Sequence, residues 1–211
     1  MAAYDFETGT ARENLCRFLA ACHYQPGPEF AEEKVFDAML DAATRIDPDL
    51  AMHARRLGEA FDAEAPECLL VDYTKLFLGP LEAVARPYGS VWLDVDRDLM
   101  QDSTMAVVAL YAEGGFEISE DFRELPDHVA AELEFLYLLL FRENQAQRTA
   151  DAEALATVAA LRQRLFDEHL GSWVGPFTAA VKAGAGTSFY GELAELTNRF
   201  VDIEAKRSRA P

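Results

Sequence analysis

The chain is poor in the residues that many chemistries require. Among its 211 residues are 3 cysteines, Cys16, Cys22 and Cys68, an odd and loosely spaced set that makes no disulfide framework and fits a reducing compartment. Lysine is confined to Lys34, Lys75, Lys182 and Lys206, none of them after a glycine, so no P-loop is present. The 4 histidines are His23, His53, His128 and His169. They lack both the Glu-x-x-His pattern of a di-iron bundle and the His-Glu-x-x-His pattern of a zinc hydrolase. There is no Gly-x-Ser-x-Gly elbow. Cys16 with Cys22-His23 could suggest a metal, but Cys22 falls on an apolar helical stripe, where a buried thiol is the ordinary outcome. The expectation is a protein with no catalytic residues, no metal and no cofactor.

Long hydrophobic runs are missing as well. Met105 to Ala112 and Phe135 to Phe141 are the longest, far short of the roughly 20 residues that cross a bilayer. The start, Met1-Ala2-Ala3-Tyr4-Asp5-Phe6-Glu7, has no basic segment leading into an apolar one, so no secretory or transit leader is expected. A cytoplasmic location follows as an expectation. Positive charge is scarce, with 19 basic residues against 37 acidic, a net −18. Phosphate recognition needs clustered Lys and Arg, so a nucleic-acid surface is disfavoured, and an anionic membrane surface with it. The field suits a cationic partner, although its plainest effect is solubility.

What is present is helical periodicity. Half of the residues are hydrophobic, enough chain for one large domain or two small ones. Leu15, Phe18, Leu19 and Cys22 share one helix face, ending near Pro26-Gly27-Pro28. Further helices are predicted from Pro28 to Ile46, from Asp47-Pro48 onward, and from Pro66 to Gly79-Pro80. Others are predicted over Asp96–Glu113, Pro126 or Asp127 to Gln145, Asp151–Leu170, Trp173–Ala183 and Ser188–Ala205. Residues 79–95 read as irregular, with Ser90-Val91-Trp92-Leu93 a short extended candidate. The basic tail Lys206-Arg207-Ser208-Arg209 reads as frayed. The prediction is an all-α fold, a single globular helical domain of about nine helices over 1–211, with a hinge in the connector 114–126.

Two segments stand out. In the first, Tyr73, Leu76 and Phe77 lead through Gly79-Pro80 to Arg86-Pro87-Tyr88-Gly89-Ser90-Val91-Trp92-Leu93-Asp94. Large aromatics in a loop suggest a use, while composition alone favours their plugging the loop onto the core. The second is Pro126-Asp127-His128 followed by Glu132-Leu133-Glu134-Phe135. Helix initiation explains it, with Asp127, Glu132 and Glu134 as a solvated acidic face. The sharper reading notes seven acids and one base, Arg123, between Glu117 and Glu134, a surface for a cationic peptide.

The spaced motifs Tyr-x-x-Leu-Phe-x-Gly-Pro, Pro-Tyr-x-Ser-Val-Trp-Leu-Asp and Pro-Asp-His-x-x-x-Glu-Leu-Glu-Phe resemble those of the TorD/DmsD family, the redox-enzyme maturation chaperones, distantly NarJ-like. The resemblance implies a cytoplasmic helical chaperone. Its partners would be the twin-arginine leader, and the apo catalytic subunit, of a molybdenum- or tungsten-cofactor oxidoreductase. It implies leader-binding residues Tyr73, Leu76, Phe77, Tyr88, Gly89, Ser90, Trp92, Asp127 and His128. Leu76 and Phe77 would form an apolar wall, and Asp127 with His128 the polar contacts. It also allows either a monomer or a domain-swapped dimer. The alternatives are a NarJ-type chaperone that grips the enzyme itself, an oligomerisation module, and an enzyme with a helical site around Asp127 and His128.

Overall fold

A computed structural model describes residues 4–79, 83–94, 99–119 and 122–209. In chain order the helices are α1 (Phe6–Cys22), α2 (Glu29–Glu32), α3 (Val35–Ile46), α4 (Pro48–Ala63) and α5 (Pro66–Tyr73). They are followed by α6 (Ser90–Leu93), α7 (Asp102–Glu113), α8 (Val129–Thr149), α9 (Ala152–Glu168), α10 (Leu170–Gly184) and α11 (Ser188–Arg209). Local chemistry sets several of these starts. Asp5 accepts from the Glu7 and Thr8 amides, Asp47 from those of Asp49 and Leu50 ahead of Pro48, and Asp151 from that of Ala154.

Helix α8 is central. Val129 to Leu133 are buried without a break, as are Phe135, Leu136, Leu139 and Leu140. Its first three turns carry apolar residues on most faces and so belong inside, and α1, α9 and α10 pack around it. The amphipathic helices α3 and α4 cover α1 and α11 from outside. The core is rich in large rings, with Trp173, Tyr111, Tyr190, Phe135, Phe177, Phe189 and Phe200 all fully buried.

The all-α class holds, and the boundaries change. The described residues form eleven α-helices rather than nine. The helix expected over Pro28–Ile46 is two, because Lys34 takes a left-handed conformation (φ 51°) between α2 and α3. The helix from Pro66 runs on as a π-turn over Thr74–Leu78, closed by the Gly79 amide on the Thr74 carbonyl at 2.7 Å. The wider turn points both Leu76 and Phe77 inward. Ser90–Leu93 is one helical turn, not an extended segment, because its first amide is held by a distant carboxylate rather than by a strand. Helix α8 begins after His128, later than expected. The tail is helical to Arg209, stapled by Lys206 to Asp202 and by Arg209 to Asp167. In the expected hinge, Phe116 packs on Tyr111 and Phe135 after the left-handed Gly115, and Arg142 donates to the Gly114 carbonyl. Residues 120 and 121 of that connector lie outside the described residues, as do Pro80 and 95–98 at the start of the expected Asp96 helix.

Candidate functional site

The two segments singled out in the sequence meet at the start of α8. The Val129 amide donates to the Pro87 carbonyl and the Gly89 amide to the Asp127 carbonyl, each at 2.8 Å, so Tyr88 and His128 face each other as a single antiparallel bridge. The Asp127 carboxylate then reaches across. Its Oδ2 accepts from the Ser90 amide at 2.8 Å and from the Thr104 hydroxyl at 3.1 Å, tying loop, α6 and α7 together. Tyr111 adds a bond from its hydroxyl to the Pro126 carbonyl at 3.0 Å. Gly89 is required by close approach: a Cβ there would lie 3.0 Å from Trp173 Nε1 and 3.2 Å from Glu132 Oε1. Those two groups are themselves bonded, with Trp173 donating to both Glu132 oxygens at 3.1 and 3.2 Å.

Around this junction lies a layer of rings and acids. Tyr24, arriving from the end of α1, stacks on the His128 ring at 5.8 Å, and Tyr88 meets the same ring edge-on at 5.4 Å. Each tyrosine donates to an acid, Tyr24 to Glu134 at 2.9 Å and Tyr88 to Glu124 at 2.7 Å. These four side chains are half-buried and form the part of the junction that reaches solvent. The Trp92 indole bonds the Arg86 carbonyl at 2.9 Å and its ring edges onto Phe177.

Burial dominates the electrostatics here. It lowers His128 to about 4, although Glu124 and Asp127 pull the other way. A neutral ring suits its role, because His128 Nδ1 accepts from the Ala130 amide as the cap of α8. Burial also raises the Glu132 carboxyl well above the usual range, opposed by the Trp173 bond. Glu134 is raised by burial too, opposed by Tyr24. Tyr73 is pushed up to about 12 by burial and then by Glu124.

The expected site residues fall into two groups. Tyr88 and Trp92 are half-buried at the surface. Tyr73, Leu76, Phe77, Gly89, Ser90, Asp127 and His128 are buried. Leu76 and Phe77 belong to the core, with Phe77 packed on Tyr73, Tyr190 and Phe177. The solvated face expected from Asp127, Glu132 and Glu134 is corrected for two of the three. Asp127 and Glu132 are each 1% exposed, because their oxygens are drawn inward to Ser90, Thr104 and Trp173. Sequence reasoning missed Tyr24, Thr104 and Trp173, which come from α1, α7 and α10. No local pattern marks Tyr24, which lies more than a hundred residues from the ring it stacks on. Among the described residues, no three His, Cys, Asp or Glu side chains converge to hold a metal ion, and no helix is long and apolar enough to cross a membrane.

Comparison with known proteins gives a consistent set of relatives. The family model described as nitrate reductase delta subunit matches residues 43–179. A chaperone protein TorD from Vibrio parahaemolyticus is 28% identical over 151 residues, covering 71% of this chain and 67% of that one. A Tat proofreading chaperone DmsD from Salmonella typhi is 31% identical over 140 residues, covering 65% of this chain and 62% of that one. The chain thus matches about two thirds of the length of these relatives. A crystal structure described as a redox enzyme maturation protein from Archaeoglobus fulgidus superposes with a TM-score of 0.54 at 20% identity. It covers 90% of this chain and 93% of that one, a likeness of fold.

Proposed function

This chain belongs to the nitrate reductase delta subunit family, and from that premise we propose that it is a maturation chaperone rather than an enzyme. Its client would be a molybdenum- or tungsten-cofactor oxidoreductase, whose twin-arginine leader it binds before export while the cofactor is inserted. The carrying observation is the layer of Tyr24, Tyr88, Glu124 and Glu134 around His128. Two acids there have tyrosine hydroxyls and, among the described residues, no ion pair, on a chain of net charge −18. A twin-arginine leader has a basic start and an apolar middle, and this surface complements both. Arginine forms forked bonds to carboxylate and stacks on aromatic faces. Trp92, backed by Phe177, offers apolar surface for the middle.

The remaining site residues support this from beneath. Asp127, Gly89 and Ser90 fix the loop, His128 fixes the helix start, and Tyr73, Leu76 and Phe77 form the floor. Exposed ion pairs add only about 0–1 kcal/mol each. Micromolar binding needs about 8 kcal/mol, so apolar contact carries most of it. The test is calorimetric titration with a synthetic twin-arginine leader of a molybdenum-cofactor oxidoreductase. Saturable micromolar binding is the expected result. The description of the matching family model favours a second reading, a chaperone that grips the enzyme subunit itself. Binding to whole apo-enzyme with none to the leader peptide selects it.

A further inference from the structure

Of the two half-buried acids around His128, Glu134 also borders a cavity where an arginine finds more carboxylate than the junction alone offers. Asp127 is enclosed and already bonded to Ser90 and Thr104. The cavity, of about 380 Å³, opens on the other side of Tyr24, between α1, α2 and the first turns of α8. Its floor is apolar, with Phe30 and Val35 buried and Phe18 partly so. Its rim is acidic, with Glu29 and Glu33 exposed at one side and Glu134 half-buried at the other. The groove wall already carries one guanidinium. Arg17 lies over the Phe18 ring, 4.8 Å from its centroid.

We propose that this groove receives the paired arginines at the basic start of the leader. The inference rests on the leader-binding reading and adds to it the place and the residues of arginine recognition. It is supported by complementarity of charge and shape. An arginine needs flat apolar surface for its weakly hydrated face and carboxylates at its edge. Phe18 and Phe30 supply the first, while Glu29, Glu33 and Glu134 supply the second. Tyr24 joins the groove to the loop site, with one face on His128 and its hydroxyl on Glu134. A leader seated with its arginines here would carry its apolar middle past Tyr24 toward Tyr88 and Trp92. Among the described residues Arg17 is the one cation in the groove lining, and as a like charge it would oppose an incoming arginine.

The test titrates two synthetic peptides, the twin-arginine leader of a molybdenum-cofactor oxidoreductase and the same leader with both arginines changed to alanine. The proteins are the wild type, Glu29→Gln/Glu33→Gln, the triple variant adding Glu134→Gln, and Arg17→Gln. Glu29 and Glu33 are exposed, so the double variant keeps its fold, checked by an unchanged melting temperature. The wild type is expected to prefer the arginine leader. The double variant should bind that leader about tenfold more weakly and bind the alanine leader unchanged. Arg17→Gln should tighten the arginine leader by a few-fold. A preference undiminished in the triple variant overturns the groove while leader binding stands, and so does equal binding of both peptides by the wild type. Binding of neither peptide by the wild type overturns the leader-binding reading and the groove with it.

Discussion

Toward the C-terminal end of α8, Glu143 sits in a closed square of charges with Arg12, Arg162 and Glu204. Arg12 grips Glu204 through Nε and Nη2 at 2.8 and 2.7 Å, and Arg162 reaches Glu204 at 3.2 Å and Glu143 at 2.5 Å. Glu204 is completely buried. Burial alone would lower Arg12, and the two glutamates more than offset it. At the other end of the same helix, Asp127, Glu132, Glu134 and Glu124 hold no such partner. Among the described ion pairs none involves these four acids; hydroxyl, indole and amide donors serve them instead. One end uses its charge internally to lock α1, α8, α9 and α11 together. At the other, Glu124 and Glu134 reach the surface with tyrosine hydroxyls as their partners, which is what a site for a cationic partner needs.

Breaking the locked end should have the largest effect. Glu204→Ala leaves two buried guanidinium groups short of a carboxylate, and should cost about 3–5 kcal/mol, read from urea unfolding. At the open end, Glu132→Gln should cost about 1 kcal/mol or less, since an amide oxygen still accepts from Trp173. The Glu132 carboxyl is already pushed toward its neutral form by burial. Equal costs for the two variants would erase the distinction between the ends.

The open end should also respond to pH. Burial holds folded His128 at about 4, below the ordinary value near 6.5. Between those values the unfolded chain binds more protons, so the histidine's contribution is full above about 6.5 and is lost as pH falls toward 4. The loss from pH 6.5 to 4.5 is about 2 kcal/mol for His128 alone. His23, lowered to about 3 chiefly by burial, adds in the same direction. Glu132 and Glu134, both raised by burial, act oppositely. The clean readout is therefore a difference. His128→Asn, which keeps a capping oxygen, should show a shallower loss of stability than the wild type over that range. Parallel curves would mean the ring is not held neutral.

Next in size is the anchor. Asp127→Ala removes the acceptor for the Ser90 amide and the Thr104 hydroxyl, and should cost about 1.5–3 kcal/mol. The freed loop should be cut sooner in limited proteolysis near Trp92, and Asp127→Asn should restore part of the protection. Cutting at the wild-type rate would show that the backbone bridge between Tyr88 and His128 suffices.

Much of the fold is legible in the sequence, and part of the site. The helical class follows from spacing such as Leu15, Phe18, Leu19 and Cys22, and the α4 start from Asp47-Pro48, because both signals are local. Two of the three motifs that resemble the family's, those holding Tyr88 and Asp127, lie where the loop meets α8, while Tyr73, Leu76 and Phe77 of the other are in the core. Less legible is the direction in which the acids point. Asp127 and Glu132 follow a proline at a helix start, a pattern that reads as solvated, and only the tertiary partners Ser90, Thr104 and Trp173 turn them inward. The break at Lys34 and the π-turn at Thr74–Leu78 are equally hidden, since neither a left-handed lysine nor a wide turn has a compositional mark. Tyr24 needs the packing of α1 on α8, a contact between distant stretches of chain.

The smallest expected effect is the most direct reading of the open end. If its acids meet a leader's arginines at a half-exposed surface, salt should weaken binding only modestly, because screening reaches exposed charges and leaves apolar contact alone. Raising ionic strength across the physiological range should weaken the arginine leader by roughly threefold and the alanine leader hardly at all. The Arg12–Glu204 pair, buried at the heart of the square, should show no matching loss in unfolding free energy. A leader affinity that collapses with salt, as for a polyelectrolyte, would mean that the field of all 37 acidic residues drives association. Recognition would then belong to the whole surface, and the contrast between the two ends of α8 would describe stability alone.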